Sequence, residues 1–159
     1  MQEMLWSKIY GVRIFECVPS FDQRGFLLEL FRQDEMNGIY ALPSMCYLSV
    51  TEPGVSRGPH EHLFQTDYFV FVTPRTIELH LWENRKMSGF VEMHEVYKLI
   101  QPTIVIVPPG VVHGYKNIGK EPAYIFNAPD KLYAGWKKRH PVDEVRHENM
   151  GASEFSMET

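Results

Sequence analysis

Three short runs, YFVFV (68–72), IELHLW (77–82) and TIVIV (103–107), leave this chain little choice but β structure. IELHLW alternates strictly: Ile77, Leu79 and Leu81 take one face of a strand, and Glu78, His80 and Trp82 take the other. The alternation predicts a solvated outer face carrying Glu78 and His80. YFVFV and TIVIV are unbroken, rich in β-branched and aromatic residues, and bounded by breakers, which predicts strands buried on both faces. Further strands are expected in KIYGVRIFE, FLLELFR, SMCYLSV, HEVYKLI and AYIFNA. Turns are expected at FDQRG, TEPG, TPR, ENRKMSG, PPG and NIGKEP. One helical turn is expected in RQDEMNGIY and another after Lys131. Many short strands at this spacing predict an all-β barrel or two-sheet jelly roll.

The 159 residues, 44% hydrophobic and 13% aromatic, hold material for one core, so a single domain over 1–159 is expected. Its polar end, from about 148 in HENMGASEFSMET, is expected to fray or lie on the surface. A net charge of −4 gives no basic footprint for nucleic acid. No apolar run approaches the ~18 residues of a membrane span. The start, MQEMLWSKIYG, lacks the basic head and apolar stretch of a secretory signal. Cys17 and Cys46 fall in strand-like segments, where buried free thiols are the expectation. A cytoplasmic protein without nucleic-acid or membrane partners is predicted.

The stretch GVSRGPHEHLFQTD (54–67) sets two histidines, two carboxylates, an arginine and a glutamine directly against YFVFV. So much polar chemistry beside a buried strand marks either a solvated loop or the mouth of a site. His60 and His62, two apart on a strand, project from one face. In VPPGVVHGYKN, His113 follows a tight Pro-Pro-Gly turn. Three imidazoles with Asp67 make a set that suits a divalent metal. Strand parity separates Asp67 from His60 and His62 unless LFQT supplies a turn. Trp6, Trp82 and Trp136 read as packing or rim residues, WKKRH (136–140) as a solvated turn, and His94 and His147 carry no signal.

These motifs resemble the two of the cupin superfamily. Gly54, His60 and His62 match the first, with Asp67 in the place of its acid, and Pro108, Gly110, His113 and Asn117 match the second. More narrowly, FDQRGFLLELFR, GVSRGPH, PPGVVHGY and NAPDKLY are similar to segments of the dTDP-4-dehydrorhamnose 3,5-epimerase family, in order from about residue 20 to 133. The resemblance implies a jelly-roll homodimer that needs no cofactor. It implies inversion of a stereocentre beside the 4-keto group of a nucleoside-diphosphate 6-deoxy sugar, in cell-surface polysaccharide biosynthesis. It makes His60 the base and Tyr133 one of the family's two site tyrosines. It assigns Arg24, Glu29 and Arg57 to the nucleotide and its phosphates, and His62, Gln65, Asp67, His113 and Asn127 to further substrate contacts. An N-terminal strand, with Arg24 and Glu29, is expected to complete the neighbour's site.

Several positions depart from the family pattern. Asp67 replaces its lysine, Asn127 its acid tyrosine, and Met45 and Tyr47 replace a glutamine and an asparagine. The late aspartate that partners the base has no counterpart, and Asp143 is the candidate. Asn127 cannot donate a proton at neutral pH, which leaves Tyr133 or water as the acid. Three readings follow: a sugar-nucleotide isomerase, by epimerisation or keto transfer; a metal-dependent cupin using His60, His62, Asp67 and His113; or a non-catalytic sugar-binding module.

Overall fold

The structure is a computed structural model that describes residues 3–36, 42–73, 76–86, 93–151 and 153–157. Parts of the RQDEMNGIY, TPR and ENRKMSG expectations fall at 37–40, 74–75 and 87–89, outside the described residues. The first half carries β1 (Glu3–Leu5), β2 (Arg13–Glu16), β3 (Ser20–Asp22), β4 (Gly25–Leu27), β5 (Tyr47–Thr51), β6 (Ser56–Glu61) and β7 (Asp67–Phe71). The second half adds β8 (Ile77–Glu83), β9 (His94–Leu99), β10 (Thr103–Val107), β11 (Val111–Asn117), β12 (Ala123–Asn127) and β13 (Val145–Arg146). Helical structure among the described residues amounts to single 3-10 turns, including the two expected near Gln33 and after Lys131.

One sheet has the order β1-β2-β10-β7-β12-β5 and the other β13-β6-β11-β8-β9, while β3 and β4 pair only with each other. Inward side chains of both sheets share one apolar cluster, with Ile14, Phe69, Phe71, Val105 and Ile125 meeting Leu79, Leu81, Val111 and Tyr115. This is the antiparallel two-sheet packing of a jelly roll.

YFVFV and TIVIV are buried on both faces, as their composition predicts. Phe69 and Phe71 point into the sandwich; Tyr68 and Val70 pack outside it with Ile104, Ile106, Leu28 and Leu30. FLLELFR therefore does not form one strand. After Leu27 it leaves the β3–β4 hairpin and covers the outside of β7, where the Tyr68 hydroxyl donates to the Leu30 carbonyl at 3.1 Å. KIYGVRIFE is shortened by a turn before Arg13, in which the Val12 N–H donates to the Ile9 carbonyl. Cys17 is a buried free thiol, whereas Cys46 is exposed just ahead of β5, where pairing has not yet begun.

The outer face of β8 is not solvated. His80 is 0% exposed. His94 stacks on Trp82 with ring centres 4.5 Å apart, and its Nε2 lies 3.1 Å from His80 Nδ1. Phe155 in the C-terminal segment adds to this cover: its ring lies 4.6 Å from His147 and 5.9 Å from Trp82. Further along, the Met157 sulfur stands where a Cβ on Gly114 would approach it to 2.8 Å.

One irregularity positions the polar end of the sandwich. The β6–β11 ladder shifts register between the pairs His113–His60 and Tyr115–Arg57. Gly58 lies in that shift with φ +79°, and a Cβ there would stand 2.6 Å from the His113 carbonyl oxygen and 3.0 Å from His60 Nδ1. Only glycine combines that backbone conformation with so close an approach. Gly58→Ala is expected to lower the unfolding free energy by about 1–3 kcal/mol, read from the midpoint of a urea titration.

Candidate active site

A cavity of about 1040 Å³ is walled by β5 and Phe69 on one side, by β6 and Tyr115 on the other, and by the segment from Pro129 to Glu148. The inward parity that buries Phe69 and Ile125 continues to Asp67 on β7, Asn127 on β12 and Tyr47 on β5, so the apolar core ends in polar groups. From the other sheet come His60 and, on β11, His113. These two are register partners with ring centres 4.4 Å apart. His62 follows the end of β6, its ring 5.5 Å from His60 and 6.0 Å from His113.

Asp67 is 1% exposed. Its Oδ1 accepts from the Gln65 amide at 2.9 Å and from the Asn127 amide at 3.0 Å. Its Oδ2 lies 3.2 Å from both His62 Nε2 and His113 Nε2. The parity objection disappears because His60 and Asp67 belong to opposing sheets, and residues 62–66 carry the chain from one to the other. Burial opposes ionisation of Asp67, yet the two imidazoles facing it hold its carboxyl well below the usual carboxylate range. Burial likewise disfavours a charged His62, but the Asp67 carboxylate outweighs it and raises that imidazole to about 9. His60 goes the other way: burial and the neighbouring His113 and His62 push it down to about 2, leaving a neutral ring.

The carboxylate beside His60 is Glu144, with Oε1 3.9 Å from Nε2. Asp143, the sequence candidate, does different work. Its carboxylate accepts the backbone N–H groups of Leu63, Phe64 and Gln65 at 3.0, 2.8 and 2.9 Å, and its carbonyl meets His62 Nδ1. The sequence offered two adjacent acids, and only the path of the strap before β13 distinguishes them.

Tyr47, which the sequence marks only as a replacement for the family's asparagine, lines the cavity. It is the register partner of Asn127, whose amide donates to the Tyr47 hydroxyl at 2.8 Å. Tyr47 is 45% exposed overall, yet burial, then the nearby Asp67 charge, raises its phenol to about 12, so it keeps its proton. Tyr133 also lines the cavity and is 51% exposed. Trp136, Lys137 and Lys138 line it as well, so WKKRH contributes to the cavity wall as well as meeting solvent.

The family model for dTDP-4-dehydrorhamnose 3,5-epimerase matches residues 7–140. The chain belongs to that family. The probable low-salt glycan biosynthesis epimerase of Haloferax volcanii is 35% identical over 129 residues, covering 79% of this chain and 81% of that protein. The spore coat polysaccharide biosynthesis protein SpsL of Bacillus subtilis is 30% identical over 119 residues, covering 74% and 77% respectively. Among solved structures, NovW, a 4-keto-6-deoxy sugar epimerase from Streptomyces spheroides, superposes with a TM-score of 0.77 at 21% identity, covering 92% of this chain and 73% of its own. Membership makes the protein an isomerase of the sugar-epimerase kind.

Two of the departures read from the sequence touch. Asp67, in place of the lysine, receives the hydrogen bond of Asn127, in place of the tyrosine. They form one local exchange instead of two separate losses. Of the substrate contacts implied by sequence, Arg57, His60, His62, Gln65 and Tyr133 line the cavity, as do Met45 and Tyr47. Asp67, His113 and Asn127 are buried and do not line it. Arg24 and Glu29 do not line it: Arg24 pairs with Asp22 in the β3–β4 hairpin, and Glu29 pairs with Arg32. Arg57 is held at the wall by the Thr51 hydroxyl and the Val50 carbonyl, each at 2.9 Å.

Since Asp143 accepts three backbone N–H groups, Asp143→Ala is expected to destabilise the protein by at least about 1.5–3 kcal/mol, the range for one charge-assisted hydrogen bond. Thermal unfolding of the variant beside Glu144→Ala, which leaves that turn intact, checks the assignment.

Proposed function

We propose that the protein epimerises a nucleoside-diphosphate 4-keto-6-deoxy sugar by removing and returning the proton on a carbon beside the ketone. One observation carries this reading. A neutral imidazole, His60, and a protonated phenol, Tyr47, line one cavity from opposite sheets. Inversion needs a base on one face of the sugar and an acid on the other. His60 takes the proton, and the Glu144 carboxylate beside Nε2 steadies the imidazolium that forms. The Tyr47 phenol returns a proton from the opposite side, one strand over from the position where the family carries its acid tyrosine. Arg57, Lys131 and Arg146, also in the lining, suit the diphosphate. The curated relatives named above belong, by their descriptions, to glycan and spore-coat polysaccharide biosynthesis, which supports a role in making cell-surface sugars. A nucleotide-sugar substrate and two free thiols fit work in the cytoplasm.

His60→Ala is expected to lower solvent deuterium exchange beside the ketone by about 10²–10⁴-fold while leaving nucleotide affinity largely intact. Tyr47→Phe is expected to keep exchange but lose net inversion. Tyr133→Phe serves as its comparator: loss of inversion in that variant alone returns the acid role to Tyr133. Absence of exchange with any 4-keto sugar nucleotide, by wild type, defeats the epimerase reading in favour of a sugar-binding module.

The working form proposed is a homodimer. Phe21, Phe26 and Leu27 are exposed on the β3–β4 hairpin, which joins neither sheet. An apolar hairpin of this kind fits against a second copy, bringing Arg24 and Glu29 to the neighbour's cavity. Sedimentation is expected to give a dimer at micromolar concentration, and a monomer for Phe21→Asp.

A further inference from the structure

The geometry points to a site for one divalent transition-metal cation, held by His62, Asp67 and His113 behind the wall of the cavity. Ligand atoms of His60, His62, Asp67 and His113 all lie within 4.8 Å of one another. The hydrogen bonds around them fix what those atoms present. His113 Nδ1 lies 3.0 Å from the Val111 carbonyl, and His62 Nδ1 meets the Asp143 carbonyl. A carbonyl only accepts, so each Nδ1 carries a hydrogen and Nε2 is the atom of each ring turned toward Asp67, a metal ligand once it gives up any proton of its own. Both Nε2 atoms stand 3.2 Å from Asp67 Oδ2. Gln65 adds its amide 3.2 Å from His62 Nε2.

Three atoms able to ligate a cation, His62 Nε2, His113 Nε2 and Asp67 Oδ2, are thus gathered in one cluster. Two of the atoms, Asp67 Oδ2 and His113 Nε2, are shut off from solvent without a hydrogen-bond partner, and Asn127 Oδ1 nearby is a third. Buried polar atoms left this way call for an unseen partner. Two imidazoles and a carboxylate favour zinc, cobalt, nickel or iron over magnesium or calcium. Carbonyls that hold the far nitrogen of each ring, and amides that hold Asp67 Oδ1, are the outer contacts that orient metal ligands. Three protein ligands with a further position open is the pattern of reactive metal sites. His60 is left outside the set because its Nε2 faces Glu144 and the cavity. When bound, such a cation supplies the positive charge that the family's lysine brings at the position of Asp67.

The inference does not rest on the epimerase reading, since every arm of its test reads metal and none reads turnover. Full-length protein stripped with a chelator is titrated calorimetrically with zinc chloride and, separately, cobalt chloride. One ion per chain is expected, with a visible cobalt absorption band and a higher melting temperature in the presence of metal. Asp67→Asn and His113→Ala are expected to weaken binding by at least about 100-fold, beyond the cost of losing an outer contact. His60→Ala is expected to keep the one-to-one stoichiometry. Asp67→Asn preserves the side-chain shape, so the comparison stands even where His113→Ala fails to fold. No stoichiometric binding by wild type overturns the proposal and leaves a proton shared between His62 and Asp67 as the occupant. Equal binding by wild type and Asp67→Asn overturns it in favour of adventitious surface ions. Loss in His60→Ala as complete as in Asp67→Asn overturns the three-ligand assignment.

Discussion

A carboxylate with 1% of its surface exposed begins β7. Taking such a charge out of water costs several kcal/mol unless partners replace its hydration. Asp67 receives two amides on one oxygen and faces two imidazoles with the other. The imidazoles keep that aim because the carbonyls of Asp143 and Val111 hold their outer nitrogens. Asp143 in turn ties down the turn at 63–65 that lets the chain pass from one sheet to the other. The site and the crossing between sheets therefore depend on one another.

The same economy appears on the outside of the sandwich. Neither sheet is left with a bare apolar outer face at its centre: Leu28 and Leu30 cover β7, while His94 and Phe155 cover Trp82 on β8. Leu28, Leu30 and Phe155 lie outside the ladders and His94 on the neighbouring strand β9, and together they give each sheet an outer cover.

Much of this was legible in the sequence where local chemistry decides the outcome. YFVFV and TIVIV announce double burial, and the paired histidine motifs announce a shared site. The misreadings arise where a distant segment decides. FLLELFR has strand composition, but β7 needed a cover more than a neighbour. His80 looks solvated from the alternation of its own strand, but the Trp82 ring and His94 on β9 stack against it. Tyr47 became a site group only through its register with Asn127, a cross-strand pairing that no single segment records. Glu144 and Asp143 are adjacent acids, and the backbone path alone sends one to His60 and the other to the turn.

The contact between Asp67 and Asn127 also bears on how such a site can arise. A lysine at 67 with Asn127 retained puts an ammonium among imidazoles with no phenol to use it. A tyrosine at 127 with Asp67 retained drives a second phenol toward the Tyr47 hydroxyl. Each half of the exchange, taken alone, gives up one chemistry without gaining the other. Because the two side chains share a hydrogen bond, substitutions at the two positions are expected to be non-additive. For comparing relatives, the two positions are therefore one character, to be read together.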